Sequence, residues 1–254
     1  MIPQIDPKWY QKGFKTDMTE ALWAQSTIQD VDFVCDILNL SKGERILDLA
    51  CGIGRHSIEL AKRGFQVVGV DISDELVNYA RAQVKKPGIN ADFICSDIRN
   101  LSFKNEFDVI LNLYDGAIGY LETDQDNLKI FKVISHSLKR GGKHIMHLPN
   151  TNFARKYFPY RTWRKGDQLI ELLELQWDET THLMVETTYT IRCSEFCKEI
   201  IPSYERRRIY ELEELQSILA SLNMKINHIY GSLDKDTGSS EDYDYISVSS
   251  IKFK

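Results

Sequence analysis

Asp48-Leu49-Ala50-Cys51-Gly52-Ile53-Gly54 places a carboxylate at the entrance of a small-residue turn, between an apolar run that starts at Arg45 and a segment of helical period. Glycines let a backbone turn sharply and let a ligand approach it closely, and the free N–H groups of a helix start favour an anionic group. Such a turn can cradle a nucleotide, and the same residues can serve a plain strand-to-helix connection. Asp71 closes the next apolar run, Val67–Val70, nineteen residues beyond Gly52. That is close to the ~20 at which an acidic side chain takes ribose hydroxyls. A carboxylate accepts from both hydroxyls at once. Asp71 can also help Ser73 cap the following helix, and the two roles are compatible. A dinucleotide turn would carry a third glycine where this chain has Ser57. A buried Asp48 suits an ammonium group better than a pyrophosphate.

Further along, Tyr114 follows an apolar run, Phe107–Leu113, where it either orients a nucleophile or walls a pocket. His147 stands near the end of another run, Lys143–Leu148, where it is a candidate general base or a satisfied structural histidine. His144 lies three residues before it, and on a strand the two point to opposite faces, so they do not form a metal pair. Cys193 and Cys197 would share a face, but no second pair stands at zinc spacing, and no metal site is expected. Five scattered cysteines make a poor disulfide framework. Residues 155–165 interleave Arg155, Lys156, Arg161, Arg164 and Lys165 with four aromatics and no acid. This is either a recognition patch for single-stranded RNA or an anionic small molecule, or a solvated loop. In Tyr204-Glu205-Arg206-Arg207-Arg208, Arg206 and Arg208 would share one strand face and Arg207 the other, so that one or two of them reach a pocket as carboxylate anchors, with Arg206 taken as the candidate.

The elements that position these groups alternate. Arg45–Ala50, Gln66–Val70, Asp92–Cys95, Phe107–Leu113 and Lys143–Leu148 are short, apolar and without polar alternation, as strands buried on both faces of a parallel sheet are. Helices lie between them. One stops at Gly64, one opens after Ser73 and stops at Pro87-Gly88, and one starts near Thr123 and ends at Lys139, Arg140 and Gly141-Gly142. Another, Thr27–Leu40, leads into the first strand. Strand and helix repeated this way give right-handed crossovers and a doubly wound α/β sheet. Past residue 150 the period becomes two: Leu183, Val185, Thr187, Tyr189 and Ile191 alternate with polar residues, which predicts an antiparallel strand. Leu169–Trp177 and Glu199–Ile209 are its candidate neighbours. A helix at Glu211–Leu222 and two strands, joined through a turn at 231–242, complete the chain.

The 254 residues carry 32 basic against 37 acidic side chains, a formal charge of −5. No global positive field exists to hold a polyanion, so any nucleic-acid role needs a local patch. No run approaches the ~18 apolar residues of a membrane span. The amino terminus, Met-Ile-Pro-Gln-Ile-Asp-Pro, lacks the basic and apolar sequence of a secretory signal, and the expectation is a cytoplasmic protein.

Taken in order, these motifs resemble class I S-adenosylmethionine-dependent methyltransferases, in which an Asp/Glu-x-Gly-x-Gly-x-Gly turn binds the methionyl end. The resemblance implies S-adenosylmethionine as the cofactor. It implies contacts from Asp48, Ala50, Cys51, Gly52 and Gly54, with Asp71 and Ile72 at the ribose, Asp97 and Ile98 at the adenine, and Asn112 and Leu113 beside the reactive methyl. Ala50 replaces the first glycine, and an alanine there demands a negative φ. The likeness is closest to sugar and amine N-methyltransferases with a small antiparallel insert. It implies a Rossmann-like seven-stranded sheet with its last strand antiparallel, in one domain. That domain comprises an amino-terminal helical lid (1–40) including Tyr10, a cofactor core (41–149), a β insert over the substrate (150–208) and a carboxyl-terminal helix and strands (209–254). The expected reaction is methyl transfer to a nitrogen or oxygen of a small molecule. Tyr114 and His147 are its candidate catalytic groups, and Tyr114, Arg161 and Arg206 its substrate contacts. An RNA methyltransferase using 155–165 and a non-catalytic S-adenosylmethionine-binding regulator are the alternatives. A homodimer is compatible with the sequence.

Overall fold

The computed structural model describes residues 5–14, 22–85, 89–166, 169–192, 200, 202–233 and 243–253. The Pro87-Gly88 stop, Cys193, Cys197, the Trp23 side chain and most of the 231–242 turn lie outside the described residues.

Seven strands form one sheet in the order β10-β11-β5-β4-β1-β2-β3. They are β1 (Arg45–Leu49), β2 (Gln66–Asp71), β3 (Ala91–Cys95), β4 (Phe107–Asn112), β5 (Leu138–Pro149), β10 (Met224–Gly231) and β11 (Tyr245–Lys252). The five central strands pair in parallel, with Leu47 opposite Val68 on one side and Ile110 on the other. β11 runs antiparallel to β5, as expected of the last strand, with Val248 opposite Met146. Because β1 is followed by β2 and β3 on one side and flanked by β4 on the other, the strand order reverses between β1 and β4. In open α/β sheets, ligands bind at that reversal, beyond the carboxyl ends of the strands.

Alternate residues of the central strands go to opposite layers. Ile46, Val67, Val109 and Ile145 meet Val31, Val34 and Leu60 from α1 (Thr27–Ile37) and α2 (Arg55–Lys62). Leu47, Val68, Ile110 and Met146 meet Phe131, Ile134, Leu215 and Leu219 from α4 (Asp124–Ser137) and α6 (Leu212–Ser221). Burying both faces explains why these strands read as unbroken apolar runs. Between β2 and β3, α3 (Asp74–Gln83) begins where the Ser73 hydroxyl accepts from Leu76 N. Contrary to the expectation, α4 does not end at the Gly141-Gly142 pair. The chain leaves the helix at Leu138 and is already in β5, with Gly141 at φ +77°.

Residues 151–208 hold α5 (Thr151–Tyr157) and a four-stranded antiparallel sheet, β6 (Tyr160–Lys165), β7 (Leu169–Asp178), β8 (Leu183–Arg192) and β9 (Ser203–Arg208), paired in chain order. The basic-aromatic segment therefore contains a strand where an irregular loop was an open reading. Its alternation puts Arg161, Trp163 and Lys165 outward and leaves Tyr160, Thr162 and Arg164 half-buried. The second sheet stands over the carboxyl ends of the first and roofs a cavity.

Candidate active site

The turn after β1 is held from two sides. Cys51 N donates to Val70 O at 3.0 Å, and Gly54 N to Cys51 O at 2.9 Å. Asp71, at the end of β2, accepts from Gly52 N at 2.8 Å with one oxygen and from Ser73 N at 2.9 Å with the other. It thereby links the turn to the cap of α3, so the capping alternative holds. An ionised carboxylate has about four acceptor sites, and two remain for a ligand's hydroxyls. Burial, opposed by these N–H groups, leaves the Asp71 carboxyl above the usual range. Only glycine fits at Gly54: φ is +76°, and a Cβ would lie 2.7 Å from the Phe93 ring. Asp48 is buried beside the turn and accepts from Ser57 Oγ at 2.6 Å. Ser57, which occupies the third-glycine position, thus orders a carboxylate.

Ala50 corrects the sequence reading, because its φ is +56° and not negative. The turn keeps the left-handed geometry that glycine supplies elsewhere, and the alanine Cβ is strained against its own carbonyl, which costs about 1–2 kcal/mol. Ala50→Gly relieves this strain and gives the unfolded chain more freedom in return. The expected net gain is up to about 1 kcal/mol, read as a raised melting temperature. A loss of stability would show the strain to be absent.

A second left-handed stretch follows β4: Tyr114, Asp115, Gly116 and Ala117 all have φ between +51° and +71°. Asn112 braces it, donating from Nδ2 to Gly116 O at 2.7 Å while its Oδ1 faces His144 Nε2 at 3.1 Å. A Cβ on Gly116 would lie 2.5 Å from Asn112 Cα. Gly119 O accepts from Arg208 N at 2.8 Å, which ties this floor to the roof strand β9.

Four groups converge on Asp30 of α1. Its carboxylate accepts from Arg55 Nη1 at 2.7 Å, His56 Nε2 at 2.9 Å, Ser26 Oγ at 3.2 Å and the Tyr114 hydroxyl at 3.2 Å. Burial alone would raise the Asp30 carboxyl, but the His56 and Arg55 contacts outweigh it and hold it below the usual range. His56 is pushed down by burial against the pull of Asp30, so it is neutral and donates from Nε2. The Tyr114 ring lies under the Arg55 guanidinium, 4.5 Å away. Its hydroxyl is raised by burial and by Asp30, so it stays protonated. His147 packs its ring 4.8 Å from Tyr245 and 5.1 Å from Tyr114, and burial lowers it to about 3.

A cavity of about 600 Å³ runs from the β1 turn past Tyr114 and His147 to the roof. Ala50, Cys51, Gly52, Asp71, Leu113, Tyr114 and His147 all line it. The remaining candidates do not. Asp48 and Gly54 support the turn from beneath it, while Ile72, Asp97 and Ile98 sit at the ends of β2 and β3. Asp97 accepts from Arg99 Nη2 at 2.6 Å. Asn112 is turned into the sheet, and Tyr10 is buried with its hydroxyl on Glu122 Oε1 at 3.2 Å. The two predicted arginine anchors are displaced. Arg161 is 77% exposed and paired with Glu174 on the neighbouring strand. Arg206 points away, because β9 presents Ser203, Glu205 and Arg207 to the cavity. The sequence reading placed the wrong arginine inside: Arg207 is the buried one, held by Asp115, Tyr245, Glu186 and Glu205. Two-residue alternation anchored on Glu205 and Arg207 would have found it. Among the described residues, no cluster of three or more metal-ligating groups occurs.

The family model described as a methyltransferase domain matches residues 46–142, the stretch that builds this turn and the strands around it. This stretch is a methyltransferase domain. A curated relative, a putative methyltransferase named YqeM from Bacillus subtilis, is 27% identical over 75% of this chain and 77% of its own. Among solved structures, an S-adenosylmethionine-dependent methyltransferase from Clostridium acetobutylicum superposes with a TM-score of 0.75 at 21% identity, over 92% of this chain and 95% of that one. CalS10, an amino pentose methyltransferase from Micromonospora echinaspora, gives 0.65 at 15% identity over 99% of each chain. Both share the fold. The cofactor brings a methyl group on a positively charged sulfur, an electrophile that needs no metal. The cavity is large enough to hold it, and Asp71 has acceptor capacity to offer its ribose.

Proposed function

We propose that this methyltransferase acts on a nitrogen or oxygen of a small molecule held between the β1 turn and the β6–β9 roof. The observation that carries this is a single cavity shared by the cofactor turn and the cavity face of a second sheet. Its volume falls within the ~300–1,000 Å³ of small-ligand sites. In the reaction the chain's residues align the acceptor, exclude water and take up a proton. Tyr114 walls the cavity, since its hydroxyl is engaged with Asp30 and Ser26. His147 is too weak a base at neutral pH to deprotonate an acceptor.

The curated relatives and fold neighbours include a ubiquinone biosynthesis O-methyltransferase, 34% identical over 44% of this chain, and the amino pentose methyltransferase CalS10. Both names denote small-molecule chemistry and are compatible with this reading. The basic-aromatic segment does not favour RNA: Arg155 pairs with Glu179 and Glu211, and Arg161 with Glu174. The test is methyl transfer from labelled S-adenosylmethionine to a metabolite extract and to bulk tRNA. Label in the small-molecule pool is expected. Label in tRNA alone would overturn the proposal, and transfer to neither would favour the regulator.

A further inference from the structure

The cavity's charge is one-sided. Its roof carries Glu171 on β7, Glu186 on β8 and Glu205 on β9, all on the face turned inward. Glu186 and Glu205 stand directly opposite each other in the β8–β9 register, a placement that repels unless a cation intervenes. Arg207 is that cation in part. Its Nη2 donates to Glu186 at 3.1 Å and to Glu205 at 2.7 Å, while its Nη1 is taken by Asp115 on the floor. One guanidinium thus serves three carboxylates. Arg164, opposite Glu171 in the β6–β7 register, is the remaining cation of the roof among the described residues, and Arg55 is already matched by Asp30. Asp115 Oδ1 is buried with no hydrogen-bond partner among the described residues. A buried carboxylate oxygen in that state calls for a donor. A charge pattern of this sign repels an anionic ligand and draws in a cationic one.

We infer that the acceptor substrate is a protonated amine, recognised by Glu171, Glu186 and Glu205, and that Glu205 is the base that removes its proton. This rests on the small-molecule reading above and sharpens it. The ammonium nitrogen gives one proton to the Glu205 carboxylate. Its freed lone pair then bonds to the methyl carbon of S-adenosylmethionine as the carbon–sulfur bond breaks and its electron pair returns to sulfur. The products are the methylated ammonium, a neutral thioether and a carboxylic acid that sheds its proton to solvent. An alkyl hydroxyl would need a far stronger base than any group in the cavity. Glu205 is suited to the task because it faces the cavity opposite Glu186 and beside Arg207, and burial, opposed by Arg207 and reinforced by Glu186, Asp115 and Glu171, raises its carboxyl above the usual range. Tyr120 and Tyr245 stay neutral beside it, and Glu171, Glu186, Arg164 and Arg207 are the charged roof groups that face the cavity with it. A catalytic base works best with a pKa near the working pH.

The test starts with calorimetry of S-adenosylmethionine on the wild type and Glu205→Gln, expected to agree within twofold. Failure of the wild type to bind would sink the methyltransferase site itself, not this inference. Labelled methyl is then offered to a metabolite extract split on a strong cation exchanger, with and without prior N-acetylation. Label is expected in the retained fraction, and acetylation is expected to abolish it. Label confined to the neutral or anionic fraction, or absent from all, overturns the inference. With the labelled fraction as substrate, Glu205→Gln should lower kcat about 100-fold at pH 7. The variant's rate should climb about tenfold per pH unit toward the range of the free amine, whereas the wild type levels off once Glu205 is ionised. Parallel profiles would make Glu205 a recognition group only. Glu171→Gln should raise KM and leave the shape of the profile unchanged.

Discussion

Asp71→Ala is expected to weaken S-adenosylmethionine binding by at least about 100-fold, measured by calorimetry at neutral pH. On the reading that Asp71 takes the ribose, two hydroxyl contacts to an ionised acceptor are lost, each worth about 1.5–3 kcal/mol. A hundredfold corresponds to about 2.7 kcal/mol, so even one lost contact with partial compensation reaches that scale. The variant also frees Gly52 N and Ser73 N, which Asp71 now holds at 2.8 and 2.9 Å. The turn after β1 and the start of α3 would then drift apart. Asp71→Asn separates the two effects. Its amide oxygen can keep the Ser73 contact, while its NH2 turns a donor toward Gly52 N and offers a hydroxyl only one proper acceptor. It should therefore fold and bind about tenfold more weakly than wild type. Wild-type affinity in the alanine variant would remove Asp71 from the cofactor site.

This turn was the most legible part of the molecule, and the reason is chemical. Backbone geometry at Gly52 and Gly54 and the carboxylate at Asp71 are demands that few residue types meet, so they show in one dimension. The central strands were equally readable, since burial on both faces leaves runs such as Val67–Val70 without a polar break. What escaped is what depends on pairing across long separations. Asp30 lies 25 residues from Arg55 and 84 from Tyr114, and nothing on α1 distinguishes it from an exposed helical aspartate until those partners fold against it. The roof failed by one residue. Taking Arg206 as the anchor and not Arg207 is a choice of strand face, and a slip of one inverts every side chain. Arg207 goes inward because Glu205, Glu186 and Asp115 wait there, and β9 has no apolar alternation to announce it. Ala50 escaped for another reason: tertiary packing around the turn imposes a φ that its side chain disfavours.

Asp30→Ala should cost about 3–5 kcal/mol of folding stability, the loss typical when one partner of a buried ion pair is removed. Arg55 would be left as a buried guanidinium over the Tyr114 ring, with 9% of its side chain exposed. Ser26 Oγ, His56 Nε2 and the Tyr114 hydroxyl would lose their shared acceptor. The damage reaches function because Tyr114, Arg55 and His56 all line the cavity. Asp30→Asn keeps the volume but not the charge, and should fall between the two. The pH dependence follows from the direction of each shift. The Asp30 carboxyl is lower in the folded protein than in the unfolded chain, so its contribution is fully present above about pH 4 and is lost as pH falls through its folded value. His56 is likewise held below its unfolded value, and stability is lost as pH drops below about 6.5 because the unfolded chain takes up the proton first. In chemical denaturation, the gap between wild type and Asp30→Ala is therefore expected to be widest near neutrality and to narrow below pH 4. A gap that stayed constant down to pH 3 would mean that Asp30 stabilises the protein through packing, not through its charge.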